Sequence, residues 1–169
     1  MKILTVLLIT LLFAAPKSVH EFKIQSIEGQ KVDMKAFKGK KILIVNTASK
    51  CGYTKQYAGL EALSKQYKDK LVVIGFPAND FKQELSSTEM IKDFCEANYG
   101  VSFLLSDIVT VKGEGQADLF KYLTTAENPD FTGDIKWNFE KFLIDENGKL
   151  IHRFRSKVEP LSPELTKYL

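Results

Sequence analysis

Residues 41–76 read KILIVNTASKCGYTKQYAGLEALSKQYKDKLVVIGF and lay down the core of an α/β sheet. Lys41 to Thr47 is a continuous run rich in β-branched residues, the pattern of a strand buried on both faces. Leu71 to Phe76 repeats that pattern. Between them, Gln56 to Tyr67 carries Tyr57, Leu60, Leu63 and Tyr67 at helical spacing along one face. Two buried strands joined by a helix form a parallel βαβ unit, because parallel strands need a crossover of about this length.

On the N-terminal side, Glu21 to Ile24 and Gln30 to Val32 flank Glu28-Gly29 as a hairpin. Ser86-Ser87-Thr88-Glu89 reads as a capping box with Ser86 as N-cap, opening a helix whose apolar face holds Met90, Ile91, Phe94 and Cys95. Gln116 to Thr124 is a further helix. Phe139 to Ile144 and Leu150 to Phe154 flank the turn signal Asp145-Glu146-Asn147-Gly148 as a second hairpin. Ser162 to Leu169 is a closing helix, with Pro163 at its first position. The expected class is therefore α/β, with a central mixed sheet flanked by helices and preceded by a hairpin: a thioredoxin-like fold. The pattern alone also permits a flavodoxin-like strand order, so the motifs have to decide.

Composition narrows function. The chain has 169 residues, enough for one domain with a full core. A net charge of +3 from 24 basic and 21 acidic side chains offers no concentrated basic face for nucleic acid. Cys51, Cys95, His20 and His152 lack paired metal-ligand spacing, so neither a metal nor a cofactor is expected. Two cysteines cannot make a disulfide-rich scaffold.

Residues 1–18, MKILTVLLITLLFAAPKS, place one Lys before an apolar run that ends in small residues and Pro16. This is the layout of a secretory signal peptide, and the run falls short of the ~20 residues of a membrane-spanning helix. The expected mature domain is 19–169, exported to the periplasm or secreted, or retained by an uncleaved N-terminal segment. In those compartments cysteine pairs can oxidise.

Cys51 lies between the first buried strand and the helix. In such a fold, this loop sits at the carboxyl edge of the sheet, where sites gather. The free N–H groups of a following helix, together with Lys50 and Lys55, favour a thiolate there. A lone cysteine is also commonly a small buried hydrophobe. Position alone leaves both readings open.

Three blocks resolve it. VNTASKCGYTKQYAGLEAL around Cys51, GFPANDFKQE from Gly75 to Glu84, and KWNFEKFLIDENGKLIHRF from Lys136 to Phe154 resemble the signatures of the glutathione peroxidase family, in order, across the expected mature chain. The resemblance implies a thiol peroxidase that reduces hydrogen peroxide and organic or lipid hydroperoxides. It places the family's catalytic tetrad on Cys51, Gln83, Trp137 and Asn138. Cys51 would be the nucleophile that becomes a sulfenic acid. The other three would stabilise the thiolate and the departing oxygen through neutral donors. By residue type alone, the lone Trp137 is more often a core anchor, Asn138 a turn residue and Gln83 a loop residue. The second block departs from the family pattern: only Lys82 separates Phe81 from Gln83, where two residues are common. Ala78 and Asp80 within the block, Leu85 directly after it, and Leu104 after Val101-Ser102-Phe103 also replace residues common in the family at those positions.

Cys95 sits in IKDFCEANYGVSF, similar to the resolving-cysteine context of cysteine-type members that use thioredoxin. Cysteine counting alone favours a static structural disulfide. The resemblance instead implies a Cys51–Cys95 disulfide formed in each cycle and reduced by a thioredoxin-like protein. Alternatives are glutathione as reductant and a peroxide-sensing relay. An exported thiol–disulfide oxidoreductase is disfavoured, because C-G-Y-T at Cys51 is not C-x-x-C. The absence of the long insertion found in tetrameric members before Trp137 implies a monomer.

Overall fold

The computed structural model describes residues 18–169, so the signal-peptide expectation lies outside the described residues except at Ser18. A short antiparallel hairpin, β1 (Lys23–Gln25) with β2 (Lys31–Asp33), opens the fold. It is followed by β3 (Lys41–Thr47), α1 (Gln56–Gln66), β4 (Leu71–Pro77) and α2 (Thr88–Tyr99). Next come β5 (Leu104–Leu105), α3 (Asp118–Thr125), β6 (Lys141–Ile144), β7 (Leu150–Phe154) and α4 (Pro163–Thr166). The main sheet has the order β5-β4-β3-β6-β7. β3 pairs in parallel with β4 on one side and antiparallel with β6 on the other. The antiparallel β6 and β7 exclude the flavodoxin-like order and give the thioredoxin-like one.

The continuous apolar strands bury both faces of this sheet. Leu43, Val45, Val73 and Leu143 point into a core shared with Tyr57, Leu60 and Leu63 of α1, Ile91 and Cys95 of α2, and Leu165 of α4. Ile42, Ile44, Ile74, Phe76, Phe142 and Ile144 point to the other side, against Leu119, Phe120 and Leu123 of α3. The alternation follows from the two-residue period of a strand. Each fully buried Leu or Ile contributes about 1.5–3 kcal/mol. Gly75 on β4 is needed for close approach: a Cβ there would lie 2.7 Å from Leu105 Cδ2.

Several boundaries differ from expectation, each for a local reason. The N-cap of α2 is Ser87, which is extended and accepts the Met90 N–H at 3.3 Å on Oγ. The helix thus starts one residue later than the Ser86 reading, and Ser86 Oγ turns to Met90 Sδ instead. Met90 is 48% exposed and does not join the core face with Ile91 and Cys95. β6 begins at Lys141, because Phe139 adopts a left-handed backbone at φ 63 that no strand accommodates. The closing helix keeps Pro163 at its start but spans only a single turn. Residues 19–21, ahead of β1, form a 3-10 turn capped by Ser18.

Candidate active site

The topology brings three chain segments to one edge of the sheet. β3 runs to that edge and continues into the Cys51 loop. Parallel β4, with Thr47 opposite Pro77, ends there and continues into 78–85. Antiparallel β6 starts there, with Lys141 opposite Val45, directly after Trp137 and Asn138. The three sequence blocks are thus the three crossings of a single edge.

Cys51 is 8% exposed and carries a free thiol. The Tyr53 N–H donates to its Sγ at 3.4 Å. α1 begins at Gln56, where its spacing predicts, and a bend and turns occupy residues 51–55 ahead of it. The cause is Thr54, whose Oγ1 accepts the Cys51 N–H at 2.9 Å and donates to the Ala48 carbonyl at 2.8 Å. This closes the loop before the helix starts and leaves the Tyr53 N–H as the donor to sulfur.

The second segment is stitched to this loop. The Lys50 N–H donates to the Gln83 carbonyl at 2.8 Å, and the Ser49 N–H donates to Glu84 Oε1 at 2.9 Å. The shortened stretch after Phe81 is accommodated by Lys82, which takes φ 58, with its N–H on the Asn79 carbonyl at 3.0 Å. Asp80, another departure, accepts the Val111 N–H at 3.0 Å and ties this loop to its neighbour. Leu85 packs against the core, and Ala78 is fully buried.

Gln83 and Asn138 meet: Asn138 Nδ2 donates to Gln83 Oε1 at 3.0 Å. Asn138 is fully buried, and its own Oδ1 has no partner. Trp137 is not a core anchor. It is 41% exposed and lies against Phe81 with ring centroids 5.1 Å apart. Lys112 sits over the Phe81 ring at 4.3 Å, giving an apolar ledge with a cationic rim.

The residues that hold Trp137 and Asn138 lie outside the catalytic tetrad that the motifs imply. Asn46 on β3 is the first: its Nδ2 donates to the Trp137 carbonyl at 3.1 Å, and its Oδ1 accepts the Glu140 N–H at 3.0 Å. The Asn46 carbonyl accepts the Phe139 N–H at 2.6 Å, which helps hold the left-handed turn, a conformation costing about 1–2 kcal/mol. Glu140 is fully buried. It accepts from the Lys136 N–H, from Arg155, and from Arg153 through both Nε and Nη2. Lys141 Nζ, also buried, donates to Gln56 Oε1 and to the carbonyls of Ser156 and Val158. Burial pushes its ammonium down to about 7. Polar residues inside otherwise apolar strand runs were the available signal for Asn46, Glu140 and Lys141.

Cys95 is free and fully buried on α2, within the same apolar cluster as Cys51. Burial pushes its thiol up to about 11. The Tyr57 hydroxyl faces Cys95 and Thr47 without a well-formed hydrogen bond to either, and burial raises it well above the ordinary phenol range. In this reduced form, Cys95 is a covered and protonated thiol.

The model of the glutathione peroxidase family matches residues 19–124. A glutathione peroxidase homolog, BsaA of Staphylococcus aureus, is 43% identical over 150 residues, covering 88% of this chain and 95% of that protein. The glutathione peroxidase-like peroxiredoxin GPX5 of Chlamydomonas reinhardtii is 45% identical over 148 residues, covering 85% and 91%. Among solved structures, the crystal structure of Trgpx in apo form matches with a TM-score of 0.70 and 36% identity, covering 90% of this chain and 95% of that one. The chain belongs to the glutathione peroxidase family, and is an oxidoreductase of the peroxidase class.

Proposed function

We propose that the chain is an exported, monomeric thiol peroxidase with a two-cysteine cycle. The Cys51 thiolate attacks the terminal oxygen of a hydroperoxide. The O–O bond breaks, water or an alcohol leaves, and Cys51 becomes a sulfenic acid. Cys95 then displaces the hydroxyl, forming a disulfide and releasing water. A thioredoxin-like protein returns both thiols. The carrying observation is the free Cys51, with the Tyr53 N–H on its sulfur, in a loop stitched to Gln83. Gln83, Trp137 and Asn138 act as neutral donors to the anionic sulfur and the departing oxygen. The half-exposed Trp137–Phe81 ledge suits hydrogen peroxide and also organic and lipid hydroperoxides with apolar tails.

Because Cys95 is fully buried, the proposed route to the disulfide, which needs the two Cα atoms within ~7 Å, runs through a local opening of α2. Amides of α2 should therefore exchange faster in the reduced protein than those of α1. Equal, strong protection in the reduced and oxidised forms would rule out that route.

The deciding experiment is peroxide turnover with thioredoxin and its reductase, and separately with glutathione and its reductase, for wild type, Cys51→Ser and Cys95→Ser. The reading expects thioredoxin-supported turnover that both substitutions abolish. Glutathione-supported turnover that survives Cys95→Ser favours the second reading, glutathione as reductant, in line with the name of the Lactococcus lactis relative. Export is tested by the N-terminus of the mature protein, expected near Val19, and the monomer by light scattering.

A further inference from the structure

Lys141 and Gln56 are buried polar side chains that the peroxidase chemistry does not use. Gln56 is 1% exposed and Lys141 is fully buried. Both ends of the Gln56 amide are engaged: Oε1 accepts from Lys141 Nζ, and Nε2 donates to the Ser156 carbonyl at 2.7 Å. Lys141 Nζ also donates to the carbonyls of Ser156 at 3.1 Å and Val158 at 2.6 Å. Three acceptors thus match the three N–H groups of one ammonium. Lys141 itself belongs to the main sheet, opposite Val45 of β3 and Phe154 of β7. Polar groups are costly to bury, and a fully paired buried set fixes the elements that supply it.

The contacts continue from Gln56 to the Cys51 sulfur. Gln56 is the first residue of α1, and Lys55 at the N-cap has a helical backbone and makes no side-chain capping bond. The start of α1 is therefore anchored by the Gln56 side chain in place of a cap. The Gln56 N–H donates to the Tyr53 carbonyl at 2.9 Å, and the Tyr53 N–H donates to Cys51 Sγ at 3.4 Å. The N–H groups of Thr54 and Tyr57 close the same turns on the carbonyls of Cys51 and Thr54, each at 3.0 Å. From ammonium to sulfur, the path runs through the Gln56 side chain, the Gln56 N–H and the Tyr53 backbone, with a hydrogen bond at each junction.

We propose that Gln56, held by Lys141, is a positioning residue for Cys51. It sets the first turn of α1 against the sheet, and through that turn it sets the Tyr53 N–H and the sulfur. The proposal rests on Cys51 as the nucleophile and is independent of how the sulfenic acid is resolved. Neither side chain touches the peroxide. The support matters because displacing a reacting group by about 1 Å can cost roughly 10²-fold in rate.

The test measures the rate of Cys51 oxidation by hydrogen peroxide, beside urea stability, in Gln56→Met, Lys141→Met, the double variant and Gln56→Glu. Leu123→Ala is the control, since it empties the core on the other face of the sheet. Gln56→Met should slow oxidation roughly tenfold. The double variant should be no slower than the slower single one, because both changes break one contact. Gln56→Glu keeps an oxygen for Lys141 Nζ and should stay within about threefold of wild type. Leu123→Ala should lose stability and keep the wild-type rate. By NMR, the Tyr53 amide resonance should move in Gln56→Met and stay in place in Leu123→Ala. An unmoved Tyr53 resonance in Gln56→Met, or an equal rate loss in Leu123→Ala, would reduce Gln56 to support of the fold and overturn the proposal. Additive losses in the double variant would detach Lys141 from the path and overturn its part. Should peroxide leave Cys51 of wild type unoxidised, the nucleophile reading falls as well. If Gln56→Met does not fold, Gln56→Glu decides: a retained rate with Tyr53 in place supports the proposal, and a loss beyond roughly tenfold overturns it.

Discussion

Asn138 and Gln83, distant in sequence, share one hydrogen bond, Nδ2 to Oε1 at 3.0 Å, at the edge where β3, β4 and β6 deliver their functional segments. This contact sets the orientation of the donor group proposed to face the Cys51 sulfur. Asn138→Ala should slow Cys51 oxidation by roughly 10²-fold, the scale of losing one preorganised donor. Gln83→Ala should slow it as well, and the double variant should be clearly less than additive, since both single changes break the same bond. Competition kinetics on the first oxidation step measure this. Full additivity would show that the two side chains act separately.

Lys82 keeps that contact possible in a loop one residue shorter than the family pattern. Its φ of 58 is a conformation that glycine adopts freely and β-branched residues resist. Lys82→Gly should be neutral or stabilise by up to about 1 kcal/mol, whereas Lys82→Val should destabilise by about 1–2 kcal/mol. Urea unfolding of the three proteins reads both signs.

Lys141 links stability to pH. Burial lowers its ammonium from the ordinary lysine value of 10.5 to about 7. Between those values the native state has released a proton that the unfolded chain still holds. The unfolded state therefore binds more protons there, and stability rises with pH. Wild type should gain stability relative to Lys141→Met as pH rises from about 7 toward 10. A constant difference would mean that Gln56, Ser156 and Val158 keep the ammonium charged throughout.

The βαβ core and the site's three segments were legible because periodicity and motif order are local properties. Strands Lys41–Thr47 and Leu71–Pro77 lie where the apolar runs put them, and the mixed sheet follows. What failed was set by contacts across the fold. The left-handed Phe139 that delays β6 is held by the Asn46 carbonyl, far away in sequence. The exposure of Trp137 depends on Phe81 offering a surface ledge in place of a core slot. Ser86 and Ser87 are equivalent as cap residues in sequence, and only the backbone of Ser87 at φ -140 identifies the cap. Burial of the Glu84 and Glu140 carboxylates depends on partners from other segments, which no local pattern displays.

If Cys51 reacts with peroxide and Cys95 resolves it, non-reducing peptide mass mapping after one equivalent of hydrogen peroxide reads both steps at once. Wild type should give one cross-linked species, joining the Cys51 and Cys95 peptides with the loss of two hydrogens. Cys95→Ser should give a Cys51 oxygen adduct. Wild type that consumes the peroxide while Cys95 stays a free thiol would contradict the two-cysteine cycle.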